Sequence, residues 1–419
     1  MDSLSKCFSA PSESRTTTTA IIATTVVTTV TFISLVRFSL WPRKRPIIRG
    51  ALTSSIPNLS KTALDDVAYK PDHFLGARDV ATPYGNIHVF EFGPENGRKV
   101  LLLHGISTSC MTLKDIALPL AEKGCRVMLF DLFGRGYSDA PGDLPYDTRL
   151  FTTQILLVLA SSRLAWTGDG GFSLVGYSLG GGIAANFAAS FPRLVASLVL
   201  LAPAGLIRPA NIGRASRVVF QTGVVPERLL AWLAERRLRT PIDNAVAKRR
   251  RLSSSPSSSS SSSSAAAAVN GKTPSARGAG QEDYVDIAMD EAATAAVAAA
   301  DEPPMGQTEY ELKVASFVHW SLDHNPGFVQ AMMSTMQHAP LMGQHEYWRK
   351  LADRKPGTTA VLLGRHDNLI QREDYTEDAL PLLGGEENVF WRIVPGAHNF
   401  PFTNGPEAME VICEFWGMK

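Results

Sequence analysis

The stretch FSLVGYSLGGGIAANFAASFP, residues 172–192, constrains the fold of this chain more than any other. An apolar run of strand character enters it, a run of small residues with helical character leaves it, and only Gly176-Tyr177-Ser178-Leu179-Gly180 stands between. A strand that turns into a helix over so few residues holds the central serine on a tight, strained elbow, and small flanking residues make room for it. Gly181 and Gly182 extend the small face, so the helix is expected to pack closely. The same alternation surrounds this unit. Residues 86–92 (NIHVFEF), 99–103 (KVLLL), 126–131 (RVMLFD), 172–175 and 194–201 (LVASLVLL) read as strands, and 111–122, 150–166 and 179–190 have helical spacing. Strands separated by helix-length segments specify an α/β fold, a mostly parallel sheet with helices on both faces. The pattern stops after Ala202 and resumes at 359–363 (TAVLL) and 388–394 (NVFWRIV), closing with a helix over 407–416.

Between the two halves the composition changes. Residues 213–240 and 309–337 read helical, and the basic, serine and alanine run KRRRLSSSPSSSSSSSSAAAAVNGKTPSARGAGQE, within 245–282, has no composition that packs a core. The whole insertion, 206–340, is therefore expected to be a helical lid carrying a low-complexity segment, with the core divided into 76–205 and 341–419. At the other end, 1–19 is polar and expected to be disordered, and 42–75 is expected to be a linker. Residues 20–36 run without a charge and are followed by Arg37, Arg43, Lys44 and Arg45. Extended to Trp41, that run approaches the roughly 20 residues that a bilayer core takes, so 20–41 is expected to be a single membrane anchor. The basic cluster on its far side leads us to expect the body of the chain on the cytoplasmic side, and an organelle-targeting or disordered arm stays open as the alternative to an anchor.

Of 419 residues, 45% are apolar, enough for a sizeable core, and the net charge of +1 with no basic aromatic patch excludes nucleic acid as a partner. The four cysteines, Cys7, Cys110, Cys125 and Cys413, form no CxxC pair and read as free thiols. No histidines show metal-ligand spacing, so no metal is expected.

A serine needs a base, and the base needs a group to hold its tautomer. Ser178 on the elbow is the candidate nucleophile. His398, in VPGAHNFPF just after the last strand, is the candidate base, and Asp367, in LGRHD past the end of the preceding strand, the candidate acid. Ligands and catalytic loops collect at the carboxyl ends of such strands. A developing oxyanion needs two N–H donors. Leu179, at the start of the elbow helix, supplies one, and the loop His104-Gly105-Ile106-Ser107 after KVLLL is expected to supply the other from Ile106. His104, Gly105, Gly176 and Gly180 are expected to support this geometry.

Four marks in order, LLLHG, D-x-x-G-R-G-x-S at 131–138, the Ser178 elbow, and Asp367 with His398, make the chain resemble the α/β-hydrolase superfamily. More narrowly it resembles the lidded enzymes that include monoglyceride-lipase-like and carbon-carbon bond hydrolases. The resemblance covers about 80–205 and 310–419. It implies an eight-stranded sheet, a helical lid after the sixth strand and no cofactor. Ser178, Asp367 and His398 follow the chain order that such a triad takes. Residues 131–138 match a stretch that in the family builds the loop beside the active-site entrance. Epoxide hydrolases and haloalkane dehalogenases carry an aspartate where this chain has Ser178, which disfavours their chemistry. The expected activity is hydrolysis of a carboxylic ester, apolar or lipid-like, through an acyl-enzyme. Acyl transfer and carbon-carbon bond hydrolysis use the same three residues and stay open as alternatives, as does a membrane-tethered scaffold that keeps the fold without activity.

Overall fold

A computed structural model describes residues 22–35, 46–168, 170–209, 232, 234–236 and 309–418. The low-complexity tract, the polar first residues and nearly all of the helical reading over 213–240 lie outside them.

Eight strands form one sheet: β1 Ala77–Thr82, β2 Gly85–Phe92, β3 Lys99–Leu103, β4 Arg126–Phe130, β5 Phe172–Tyr177, β6 Val195–Leu201, β7 Thr359–Gly364 and β8 Phe390–Val394. Their order across the sheet is β1-β2-β4-β3-β5-β6-β7-β8, with β1/β2 and β2/β4 antiparallel and every other pairing parallel. Every residue of β5 is buried, which a strand covered on both faces requires of its side chains. The flanking helices are α1 Lys114–Glu122, α2 Thr148–Ala160, α3 Leu179–Ser190, α4 Glu309–His324, α5 Phe328–His338, α6 His345–Lys350, α7 Arg372–Leu382 and α8 Gly405–Trp416. Helix α1 packs on α8, and α2 on α3. Between β6 and β7 the insertion contributes α4 and α5, separated by Asn325-Pro326-Gly327 where the sequence pattern reads as one helical stretch. Proline has no N–H to donate and disfavours helical backbone in the residue before it, so the break falls there.

Two elements have no clear pattern in the sequence. β1 is an edge strand with its side chains alternately exposed and half-buried, and α7 (REDYTEDALPL) buries only Tyr375 and Ala379. Neither has an apolar stripe to announce it.

Residues 46–75 are not the linker expected from their position. Ile47 and Ile48 pair antiparallel with Pro141 and Ala140, Gly50 N–H donates to Asp139 (2.7 Å), and Ser55 Oγ donates to the His324 carbonyl of α4 (2.6 Å). Tyr69, fully buried, donates to Asp131 at 3.1 Å. The segment is a strap across the core and the inserted helices, held by polar contacts that no hydropathy pattern records.

The expected membrane-spanning helix also changes. Among the described residues it covers 22–35, and no helix there is long and apolar enough to cross a membrane. Residues 20, 21 and 36–41 of the expected span lie outside the described residues. Threonines lower the hydropathy of the described helix, and Thr28 and Thr29 return their hydroxyls to the carbonyls of Thr24 and Thr25. The basic cluster from Arg37 onward lies outside the described residues.

Candidate active site

The elbow is built by close approach. Ser178 follows β5 with φ 53° and ψ −118°, a region side chains rarely adopt, and α3 starts at the next residue. A Cβ on Gly176 would stand 2.3 Å from the Gly180 carbonyl oxygen, and one on Gly180 would stand 2.4 Å from that of Leu103. Both glycines are therefore steric requirements of turning strand into helix against the neighbouring strand. The Ser178 carbonyl accepts from the N–H groups of Gly181, Gly182 and Ala204, which fixes the residue from behind.

Sheet register decides what meets the serine. Leu103 of β3 pairs with Gly176 of β5, so the loop 104–107 leaves the sheet beside the elbow. Gly364 of β7 pairs with Val394 of β8, and the loops that follow are stitched together by Arg365 N–H to the Val394 carbonyl (2.9 Å) and His366 N–H to that of Gly396 (3.0 Å). These loops carry Asp367 and His398 to the serine. His398 Nε2 lies 3.0 Å from Ser178 Oγ, and His398 Nδ1 lies 2.8 Å from Asp367 Oδ2. The other oxygen of Asp367 accepts from the N–H groups of Leu369 (2.9 Å) and Ile370 (2.7 Å). All three side chains are buried. A carboxylate held by two backbone donors stays in place to orient the imidazole, whose far nitrogen is within reach of the hydroxyl proton.

Ile106 is buried in the loop beside the elbow, and Leu179 opens α3, where helix geometry leaves its N–H without an intrahelical acceptor. His104 ties this loop to the next: its Nδ1 lies 2.9 Å from the Gly105 carbonyl, and its Nε2 accepts from Leu132 N–H at 2.9 Å. One ring nitrogen donates and the other accepts, so the ring is neutral. Burial, with the positive charge of Arg135 nearby, pushes its pKa down to about 3.

Several contacts around the site have no signal in the sequence. Arg135, inside the D-x-x-G-R-G-x-S stretch, is fully buried and reaches the carbonyl of Ile106. Asn399, next to His398, donates to Glu311 of α4 at 3.2 Å. Asp139, a plain loop residue by sequence, gathers Arg49 and the N–H groups of Gly50 and Asn86. Each joins segments far apart in the chain, where no spacing rule operates. Among the described residues no group of histidine, cysteine, aspartate or glutamate could hold a metal ion.

A strand-elbow-helix serine at the carboxyl edge of a mostly parallel eight-stranded sheet defines a class, and the sequence agrees with it. This chain belongs to the α/β-hydrolase fold family, whose sequence model matches residues 99–404. Among curated sequences it is similar to a serine hydrolase-like protein of Dictyostelium discoideum, 37% identical over 141 residues that cover 32% of this chain and 38% of that protein. An uncharacterised protein of Mycobacterium bovis is 33% identical over 144 residues, 32% of this chain and 39% of its own length. The chain thus spans about two-fifths of the length of these relatives. Among solved structures, a membrane phospholipase A described as a bacterial virulence factor superposes with a TM-score of 0.52 at 17% identity, covering 95% of this chain and 98% of the other. At that identity the likeness is one of fold.

Proposed function

We propose that this protein is a serine hydrolase that cleaves a carboxylic ester, apolar or lipid-like, through an acyl-enzyme. The observation that carries the reading is the continuous hydrogen-bonded line from Ser178 Oγ through His398 to Asp367, at 3.0 Å and 2.8 Å, in a buried site. In this reading Ser178 Oγ attacks the carbonyl carbon while His398 Nε2 takes its proton, and Asp367 holds the Nδ1–H tautomer and balances the imidazolium. Negative charge collects on the former carbonyl oxygen and is met by the N–H groups of Ile106 and Leu179. Collapse expels the alcohol, which takes the proton from His398. Water then loses a proton to His398 as it attacks the acyl-serine, and the carboxylic acid leaves with Ser178 restored. The low dielectric of a closed site strengthens each of these interactions.

Support for an apolar ester comes from the buried apolar side chains beside the triad, Ile106 and Leu179 next to the elbow and Phe402 shortly after His398. Labelling of the full chain with a fluorophosphonate, alongside Ser178→Ala, tests the nucleophile, and p-nitrophenyl esters of graded acyl length test the pocket. The expected result is labelling that vanishes in the variant and turnover that rises with acyl length. Folded protein that takes no probe and cleaves no ester would refute the reading.

A further inference from the structure

Arg135 has a place in this molecule that its motif does not explain. Its guanidinium is completely buried, and taking a charge out of water is costly unless acceptors surround it. Nε donates to the Ile106 carbonyl at 2.8 Å, one terminal nitrogen to the Phe133 carbonyl at 3.1 Å, and the other to Thr335 Oγ1 at 2.8 Å. Thr335 lies on α5 and gives its own hydroxyl proton to the Ala331 carbonyl (2.7 Å), which leaves its oxygen lone pairs to accept from the arginine. The backbone comes close at the same place: a Cβ on Gly134 would stand 2.3 Å from the Cβ of Ala331. One rigid fork thus bridges the loop after β3 and a helix inserted some 200 residues later in the chain.

We propose that Arg135 is a positioning residue that holds the oxyanion loop at Ile106 and makes its position depend on the docked helix α5. The proposal rests on the ester-hydrolase reading, in which the Ile106 N–H meets the oxyanion. Anchoring the carbonyl of the same residue fixes the peptide plane that follows its Cα and so limits how far the N–H on the other side can swing before substrate arrives. Hydrogen bonds preorganised in this way act in the transition state and not on the bound ester. A lysine offers a point charge on a flexible stem and cannot hold three acceptors at the fixed angles of a guanidinium.

The experiment compares wild type, Arg135→Lys, Thr335→Val and the double variant on a p-nitrophenyl ester, with active sites counted by fluorophosphonate stoichiometry. For Arg135→Lys we expect kcat per counted site to fall about 30-fold with KM within about twofold, the signature of an interaction made only in the transition state. Thr335→Val, which keeps side-chain shape and leaves the bond to Ile106, should lose about fivefold in kcat, and the double variant should be no slower than Arg135→Lys alone. A purely structural role would lower the number of active sites and leave kcat per site unchanged, which would overturn the proposal. So would a loss confined to KM, or losses that multiply in the double variant. If Arg135→Lys does not fold, kcat per site of Thr335→Val decides: a fall supports the link and an unchanged value overturns it. Wild type that neither labels nor turns over would bring down the hydrolase reading and this proposal with it, whereas an active wild type with unchanged variants would remove the proposal alone.

Discussion

Ser178 stands at φ 53°, ψ −118°, a conformation that costs on the order of 1–3 kcal/mol and persists because strand, helix and neighbouring loop over-determine it. Its partners are held as firmly, and Asp367 illustrates the consequence. One carboxylate oxygen accepts from Leu369 and Ile370 N–H, the other faces His398 Nδ1. In Asp367→Asn the amide oxygen should keep the two backbone donors, because an NH2 cannot accept from them, and the NH2 would then point at Nδ1. Nδ1 would become an acceptor and the proton would move to Nε2, which could no longer take the serine proton. Steady-state kinetics on an ester should show kcat reduced about 10⁴-fold with KM little changed. That these three side chains could meet was legible in the sequence, since Gly-x-Ser-x-Gly between a strand and a helix, and an aspartate and a histidine each just past a strand, are local patterns. Arg135 was legible only as part of a motif, because its partners Ile106 and Thr335 lie 29 and 200 positions away.

At the level of elements, the strap over 46–75 reinforces a joint between the loop after β4 and helix α4, which also meet directly where Tyr137 lies against Phe317 and Trp320. Buried Asp131 is its anchor. The carboxylate accepts from Tyr69 Oη and from the N–H groups of Cys110 and Tyr137, and Tyr137 in turn donates to the Tyr69 carbonyl. Rings reinforce the joint, with Tyr69 stacked on Tyr137 at 5.3 Å and edge-on to Phe317 of α4 at 4.9 Å. Tyr69→Phe keeps the rings and removes one donor from a buried carboxylate. Urea unfolding should show a loss of about 1.5–3 kcal/mol, the range for a hydrogen bond to a charged group. Sequence alone made this segment a linker because it holds no long periodic run. Its order comes from side chains that cap and pair with loops elsewhere. The helical reading over 309–337 covered α4 and α5 as a single stretch and passed over the break at Pro326 and Gly327, which the structure reveals.

For the whole molecule, three histidines shape stability against pH. Burial pushes His104 down to about 3, and burial with the nearby charge of Lys114 pushes His73 down to about 4. Below the unfolded value of about 6.5 the unfolded chain binds protons at these rings that the folded chain refuses, so stability falls as pH drops from there toward 4 and 3. His88 has the opposite sign. Burial would lower its pKa, but the Asp79 hydrogen bond, the charges of Asp131 and Asp79, and the Pro71 carbonyl outweigh it and raise the value. Nδ1 and Nε2 each lie 2.8 Å from an acceptor, on Asp79 and Pro71, so the protonated ring satisfies both. Its contribution is complete below about pH 6.5 and is lost as pH rises through the raised value. Thermal unfolding across pH should therefore show His88→Gln closest to wild type at the alkaline end and furthest below it under pH 6.5. A constant offset between the two curves would contradict this. The sequence by itself determined the fold class, seven of the eight strands and the placement of Ser178, Asp367 and His398 at strand ends, because alternation, glycine placement and turn chemistry are properties of neighbours. Only the tertiary structure decided that the strap is ordered, that α5 meets the loop of Ile106 through Arg135, and which histidines hold a proton more or less readily than usual. Those outcomes depend on burial and on partners distant in the chain, which fix the energy of a polar group more than its own identity does.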